Sequence, residues 1–150
     1  MRTQIRAASV LVVDGAVLLE NTVGTDVWYL PGGRLEDAET LRLAIRREFL
    51  EEMGLAVSCE DMLFVHENFF PLGGDIMREY GFYFRVRVNG PPVSPTSRLT
   101  SRETGFRHAW VALDKLHEIR FQPVVLIQHL IDPPSGLLYL ETRDAALMGT

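Results

Sequence analysis

Three glutamates, Glu48, Glu51 and Glu52, stand at spacing i, i+3 and i+4, the spacing of side-chain neighbours on a helix. At 3.6 residues per turn they spread over only about 100° of the helix circumference. Like charges so placed repel by a few tenths of a kcal/mol per pair. A hard divalent cation with oxygen ligands, Mg²⁺ or Mn²⁺, would hold them together. The plain alternative is a solvated acidic face, and the helical wheel argues against it. With Glu48 at zero, Leu41, Ile45, Phe49 and Met53 fall at about 20°, 60°, 100° and 140°, an apolar stripe that should face the core. Glu52 falls at about 40°, inside that stripe, and Glu48 lies at its edge. A carboxylate directed along a buried face is costly unless it is paired or bound to metal. The spacing therefore predicts a metal site, with Glu52 its first ligand.

A helix carrying these residues is predicted to start at Glu36-Asp37, where acidic side chains favour an N-terminus, and to stop at Gly54. Before it, residues 7–13 and 16–20 are apolar runs joined by Asp14-Gly15, a hairpin signal. Residues 27–30 read as a short strand ended by Pro31, Gly32 and Gly33. Beyond the helix, residues 63–70 and 76–88 read as a second hairpin across Pro71-Leu72-Gly73-Gly74. Residues 108–111 form a short strand, 113–119 and 124–131 two helices, and 137–141 a last short strand. Residues 89–105 are rich in Pro, Ser, Thr and Arg and lack periodicity; loops of that length are usually lids or disordered. This order predicts an α/β fold, a mixed sheet covered by helices on both faces.

The 150 residues predict one domain, residues 1–150, long enough to bury roughly two-thirds of its unfolded surface. The net charge of −5 disfavours nonspecific binding to DNA or to an anionic membrane. It does not exclude nucleotides, because a metal neutralises phosphates locally. Cys59 is the only cysteine, so no intrachain disulfide forms and a reducing compartment fits. The apolar stretch after Arg2 and Arg6 stops at Asp14-Gly15, which suits a strand and turn better than a signal peptide. No apolar run approaches the roughly 20 residues of a spanning helix. A cytoplasmic protein is the expectation.

Residues 33–55 also make a complete pattern. It runs Gly33, five residues, Glu39, seven residues, Arg47-Glu48-Phe49, one residue, Glu51-Glu52, one residue, Gly54-Leu55. This resembles the box GX5EX7REUXEEXGU, with U a bulky apolar residue, that defines the Nudix hydrolases. Every fixed position matches; Phe49 is bulkier than the usual aliphatic. The approach Trp28-Tyr29-Leu30-Pro31-Gly32-Gly33 is similar to the family's strand and turn before the box. The resemblance implies a Nudix-type α/β/α sandwich with a mixed β-sheet, and Glu48, Glu51 and Glu52 as the metal set. Gly33 joins that set, since glycine lets the loop approach the metal or a phosphate. Arg47 is implied as the orienter of a catalytic carboxylate, the alternative being a simple ion pair with Glu51 at i+4. The base that deprotonates water is open among Glu51, Glu48 and Glu103, the last in the long loop; Glu39 reads as structural.

The implied reaction is metal-dependent hydrolysis of a diphosphate bond in a nucleoside diphosphate derivative, such as a nucleotide-sugar or an ADP-ribose-like compound. Pro71, 16 residues after Leu55, resembles the pattern of ADP-ribose pyrophosphatases, although turns favour proline anyway. The alternatives are a nucleoside triphosphate or RNA 5′-end pyrophosphohydrolase, and a nucleotide sensor that has kept the fold without turnover. The intact box carboxylates speak against the sensor. For the substrate, Trp28, Tyr29, Phe69 and Phe70 are able to stack on a base and Arg6, Arg34, Arg78 and Arg85 to meet phosphates. Aromatics on strands are more often core, and single arginines more often surface charges. Dimers are common in the family, so a homodimer is a prior expectation.

Overall fold

The computed structural model describes residues 1–95, 101 and 104–144; Glu103 lies outside the described residues. Strands β1 (Arg2–Val10), β2 (Val12–Val13) and β3 (Ala16–Thr22) open the chain. The β2–β3 turn is Asp14-Gly15, with φ of 49° and 76°, the double positive φ of the two-residue turn that matches strand twist. Strands β4 (Trp28–Tyr29) and β5 (Gly32–Arg34) lead to helix α1 (Leu41–Met53). Then come the long hairpin β6 (Val57–Leu72) and β7 (Asp75–Val88), strand β8 (Phe106–Ala112), two short helical segments and strand β9 (Leu138–Arg143).

The helix begins five residues later than the acidic residues suggest. Ala38 has φ 61°, a left-handed conformation that no helix interior accepts, and Thr40 is the true cap, its Oγ1 accepting from the Leu43 N–H at 3.2 Å. Glu36 and Glu39 belong to the preceding loop, where the Glu39 carboxylate accepts from the Glu36 N–H. The C-terminal end falls as predicted: Gly54 has φ 66°, and its N–H bonds the Leu50 carbonyl. The predicted helix at 113–119 is a 3₁₀ segment, Leu113–Glu118. The one at 124–131 divides into 3₁₀ turn Val124–Leu126 and α2 (Ile127–Ile131), because the Leu126 N–H bonds back only three residues, to the Pro123 carbonyl.

The strands make two sheets. One is mixed, in the order β5-β1-β7-β6-β9, with β1 parallel to β7 and β6 parallel to β9. The smaller sheet centres on β3, which pairs antiparallel with β2, β4 and β8. Period-two alternation divides the core. Ala7, Leu11 and Leu18 pack with Ala44, Ile45, Phe49 and Met53 of α1. Ala8, Val10, Val17 and Leu19 pack on the opposite side with Leu116, Phe121, Leu126, Ile127 and Leu130. The result is the predicted α/β/α sandwich with a mixed sheet. Among the described residues, no helix is long and apolar enough to cross a membrane.

Candidate active site

Alternation along β3 carries one charge into the core. Leu18 faces α1, so Glu20 two residues on faces it too. In the β3–β8 register Glu20 stands opposite His108, and Leu18 opposite Trp110; cross-strand partners project from the same face. Glu52 meets them from α1. His108 Nε2 lies 3.0 Å from Glu20 Oε1 and 3.2 Å from Glu52 Oε2. Glu20 is 1% exposed, Glu52 4% and His108 9%. His108 Nδ1 lies 2.6 Å from Ser101 Oγ, so both ring nitrogens are engaged. Burial alone would lower the His108 pKa, but hydrogen bonds to Glu20 and Glu52 carry it up to about 9. Burial also raises Glu52, with His108 pulling down and Glu20 pushing up.

Glu48 stands beside this cluster. Its burial, then the hydrogen bond and charge of Glu52, push it up to about 7 against the pull of Arg47. Gly33 makes room for it, since a Cβ there would lie 2.6 Å from Glu48 Oε1. Neither Gly32 nor Gly33 has positive φ among the glycines. Glycine is required at both for space rather than for backbone freedom, because a Cβ at Gly32 would meet the Ala7 carbonyl at 2.4 Å.

Arg47 clasps loop to helix. Its Nε and Nη2 donate to the two Glu39 oxygens at 2.7 and 2.9 Å, the fork geometry of a bidentate pair. Nη1 donates to Glu48 at 3.0 Å and Glu51 at 3.2 Å, and Nη2 also reaches the Arg34 carbonyl at 3.3 Å. The simple Arg47–Glu51 pair is thus one contact among several. The Arg47 hydrogen bond holds Glu39 down to about 2 and Arg47 itself well above its ordinary value.

A cleft of about 390 Å³ opens onto Glu20, Glu48 and Glu52, with Gln4, Arg6, Tyr29, Gly33, Arg34, Glu79 and Phe106 around them. An apolar depression of about 300 Å³ elsewhere, bordered by Val10, Val12, Arg87 and Val93, lies apart from this chemistry. The donors suit a hard cation: buried, closely spaced carboxylate oxygens with one imidazole in partial compensation. Ligand atoms of Glu20, Glu52 and His108 lie within 4.8 Å of one another.

Of the residues singled out in the sequence, Glu48, Glu52, Gly33, Arg6 and Arg34 border or floor the cleft. Arg6 donates to the Leu30 carbonyl at 2.9 Å and lies 5.3 Å over the Tyr29 ring. Glu51 is not in the cleft lining; its side chain is 48% exposed and accepts from Arg47. Trp28, Phe69 and Arg78 are not in the cleft lining. Trp28 points from β4 to the opposite core, so its neighbour Tyr29 takes the cleft position. Arg78 lies 4.9 Å over the Phe69 ring and 3.7 Å from Glu67, a cross-strand contact away from the cleft. Sequence reasoning missed Glu20, His108 and Ser101. The signal for Glu20 was the alternation Leu18, Glu20, which an apolar run ending at Glu20 concealed.

A cleft floored by carboxylates from a helix and a strand, set in an α/β/α sandwich, suits a protein that binds a hard cation. Residues 3–130 match the NUDIX domain, and the chain belongs to that family. It is 50% identical over 41 residues to the human (Homo sapiens) 8-oxo-dGDP phosphatase NUDT18, a match covering 27% of this chain and 13% of that protein. The matched stretch is therefore about an eighth of that relative's length. Among solved structures, the mutator MutT protein from Bacillus halodurans superposes with TM-score 0.72 at 19% identity, covering 93% of this chain and 89% of that one. An ADP-ribose pyrophosphatase from Streptococcus suis gives 0.58 at 14% identity, covering 93% and 98%. At such identities these likenesses carry the fold alone.

Proposed function

We propose that this protein hydrolyses the diphosphate bond of a nucleoside diphosphate derivative in a reaction that needs Mg²⁺ or Mn²⁺. The observation that carries the reading is the convergence of Glu20, Glu48 and Glu52 on one cleft. Too little positive charge lies among them to justify their burial otherwise. Glu52, Glu20 and Glu48 hold the cation, with Gly33 alongside and Glu51, on the same helix turn, able to reach it only by leaving Arg47. A bound Mg²⁺ or Mn²⁺ screens phosphate charge, orients the diphosphate and acidifies water. Arg47 fixes Glu48 from behind through the fork it shares with Glu39. Arg6 and Arg34 face the phosphates.

The reading takes Glu48 as the base. It borders the cleft and its carboxylate is held in place by Arg47; a cation bound beside it would keep it ionised and able to accept a proton. Glu51 is occupied by Arg47, and Glu103 stays a proposed third candidate. The water oxygen bonds one phosphorus as the bridging oxygen departs with the other phosphate. The printed name of the human relative, an 8-oxo-dGDP phosphatase, supports a diphosphate over a triphosphate.

A panel of nucleoside diphosphate derivatives, nucleoside triphosphates and capped RNA tests the assignment. Formation of the nucleoside monophosphate and the second phosphate monoester from a diphosphate derivative should require Mg²⁺ or Mn²⁺ and vanish in EDTA. Full turnover in excess chelator, or turnover confined to triphosphates or RNA, contradicts it.

A further inference from the structure

His108 sits behind the cleft rather than in it. Glu20, Glu48 and Glu52 line the cleft, whereas His108 does not, and its side chain is wholly buried. Its Nε2 lies 3.0 Å from Glu20 Oε1 and 3.2 Å from Glu52 Oε2. An ionised carboxylate only accepts, so Nε2 carries the proton between them. On the other side of the ring, Ser101 Oγ lies 2.6 Å from Nδ1. A hydroxyl accepts from a protonated Nδ1 and donates to a bare one. The Nε2–H contacts therefore persist whether the ring is charged or neutral.

Glu20 comes from β3 and Glu52 from α1, so no shared backbone element sets the distance between their carboxyl groups. Two negative groups in so dry a place repel when nothing lies between them. Mg²⁺ demands near-ideal octahedral geometry with oxygen ligands at about 2.0–2.1 Å. A carboxylate pair that has drifted apart must be drawn together again before it binds such an ion, at a cost in affinity.

We propose that His108, oriented by Ser101, is the positioning residue of this metal site: its Nε2–H clasps one oxygen of Glu20 and one of Glu52 and leaves the second oxygen of each to the cation. His108 itself is not a ligand. To coordinate, Nε2 would have to give up both carboxylates and turn toward a cleft that the ring does not border. The proposal rests on the hydrolase reading only for the presence of a divalent cation.

Binding of Mn²⁺ alone tests it. In the wild type the ion should bind, and its electron spin-echo spectrum should show no directly bonded nitrogen. His108→Leu, its fold checked by circular dichroism, should weaken Mn²⁺ binding by about 10- to 100-fold, the usual cost of losing an outer-shell partner. His108→Gln returns an N–H donor to the site and should recover most of that loss; a ring that merely fills space would leave the two variants alike. Where His108→Leu does not fold, Ser101 carries the test. Ser101→Ala keeps the ring but removes its anchor and should weaken binding by about threefold or more, and Ser101→Thr should restore it. A directly bonded nitrogen in the wild type, equal or tighter binding in a folded His108→Leu, or unchanged binding in Ser101→Ala overturns the proposal. Absence of Mn²⁺ binding in the wild type fails the hydrolase reading and the proposal with it, whereas binding indifferent to both residues fails the proposal alone.

Discussion

Two clusters of carboxylates share one stretch of α1 and are stabilised in opposite ways. Around Arg47, Glu36, Glu39, Glu48 and Glu51 all lie within 3.5 Å of a single guanidinium, which is always charged and presents five donors. That cluster is partly solvated and internally satisfied. Around His108, Glu20 and Glu52 are almost wholly buried and share one imidazole between them. Glu48 belongs to both, hydrogen-bonded to Arg47 and raised by Glu52. The difference separates two tasks. The Arg47 side fixes where carboxylates sit; the His108 side sets two buried carboxylates against a single imidazole, where an added cation would complete the neutralisation.

Breaking the buried side should have the largest effect. Glu52→Gln keeps shape and removes charge, so the fold should persist while turnover falls more than about 100-fold, since outer-shell changes at metal sites alone cost about 10- to 100-fold. Steady-state rates beside a circular dichroism melt check this, and normal turnover of a folded variant contradicts the ligand assignment.

A sharper probe of the clasp is Arg47→Lys, which keeps the charge and loses the fork. Turnover should fall by about 10- to 100-fold, as for a positioning group, with Mg²⁺ still required. A rate within about threefold of wild type, roughly 0.65 kcal/mol, would reduce Arg47 to a surface ion pair.

The smallest effect concerns stability against pH in EDTA. Glu48 holds its proton up to about 7 in the folded protein against an ordinary 4.5, and His108 up to about 9 against 6.5. Through these two groups the folded protein binds more protons than the unfolded chain, Glu48 between about 4.5 and 7 and His108 between about 6.5 and 9, so they lose stability as pH rises. Their contribution is complete below the unfolded pKa and gone above the folded one. His66, held down to about 4 by burial, acts oppositely below 6.5. Tm should decline from pH 6.5 to 9, and His108→Gln should flatten that decline. Glu39, held down to about 2 by Arg47, acts oppositely, its stabilisation being lost as pH falls below 4.5. A wild-type Tm that rises from pH 6.5 to 9 contradicts the buried-imidazole assignment.

What the sequence made legible was local. Asp14-Gly15 and Gly54 announce their backbone conformations within two residues, and the wheel placed Glu52 on the buried stripe because helix geometry is fixed by spacing. The helix start misled because acidic residues at Glu36 and Glu39 suit a first turn equally well as a loop that grips Arg47. Glu20 and His108 are 88 residues apart, and only the β3–β8 register joins them. Trp28 and Tyr29 are equally able to stack by type; which one faces the cleft depends on the parity of a two-residue strand.

The central claim is that buried Glu20 and Glu52 and half-buried Glu48 converge on one cleft to hold a divalent cation. Calorimetric titration of Mn²⁺ into EDTA-stripped, buffer-exchanged protein tests it without reference to any substrate. The account predicts saturable binding in the wild type that is lost or weakened by about 10-fold or more in Glu52→Gln and in Glu20→Gln, as expected when a ligand is removed. Identical binding in all three proteins, or none in the wild type, would contradict it.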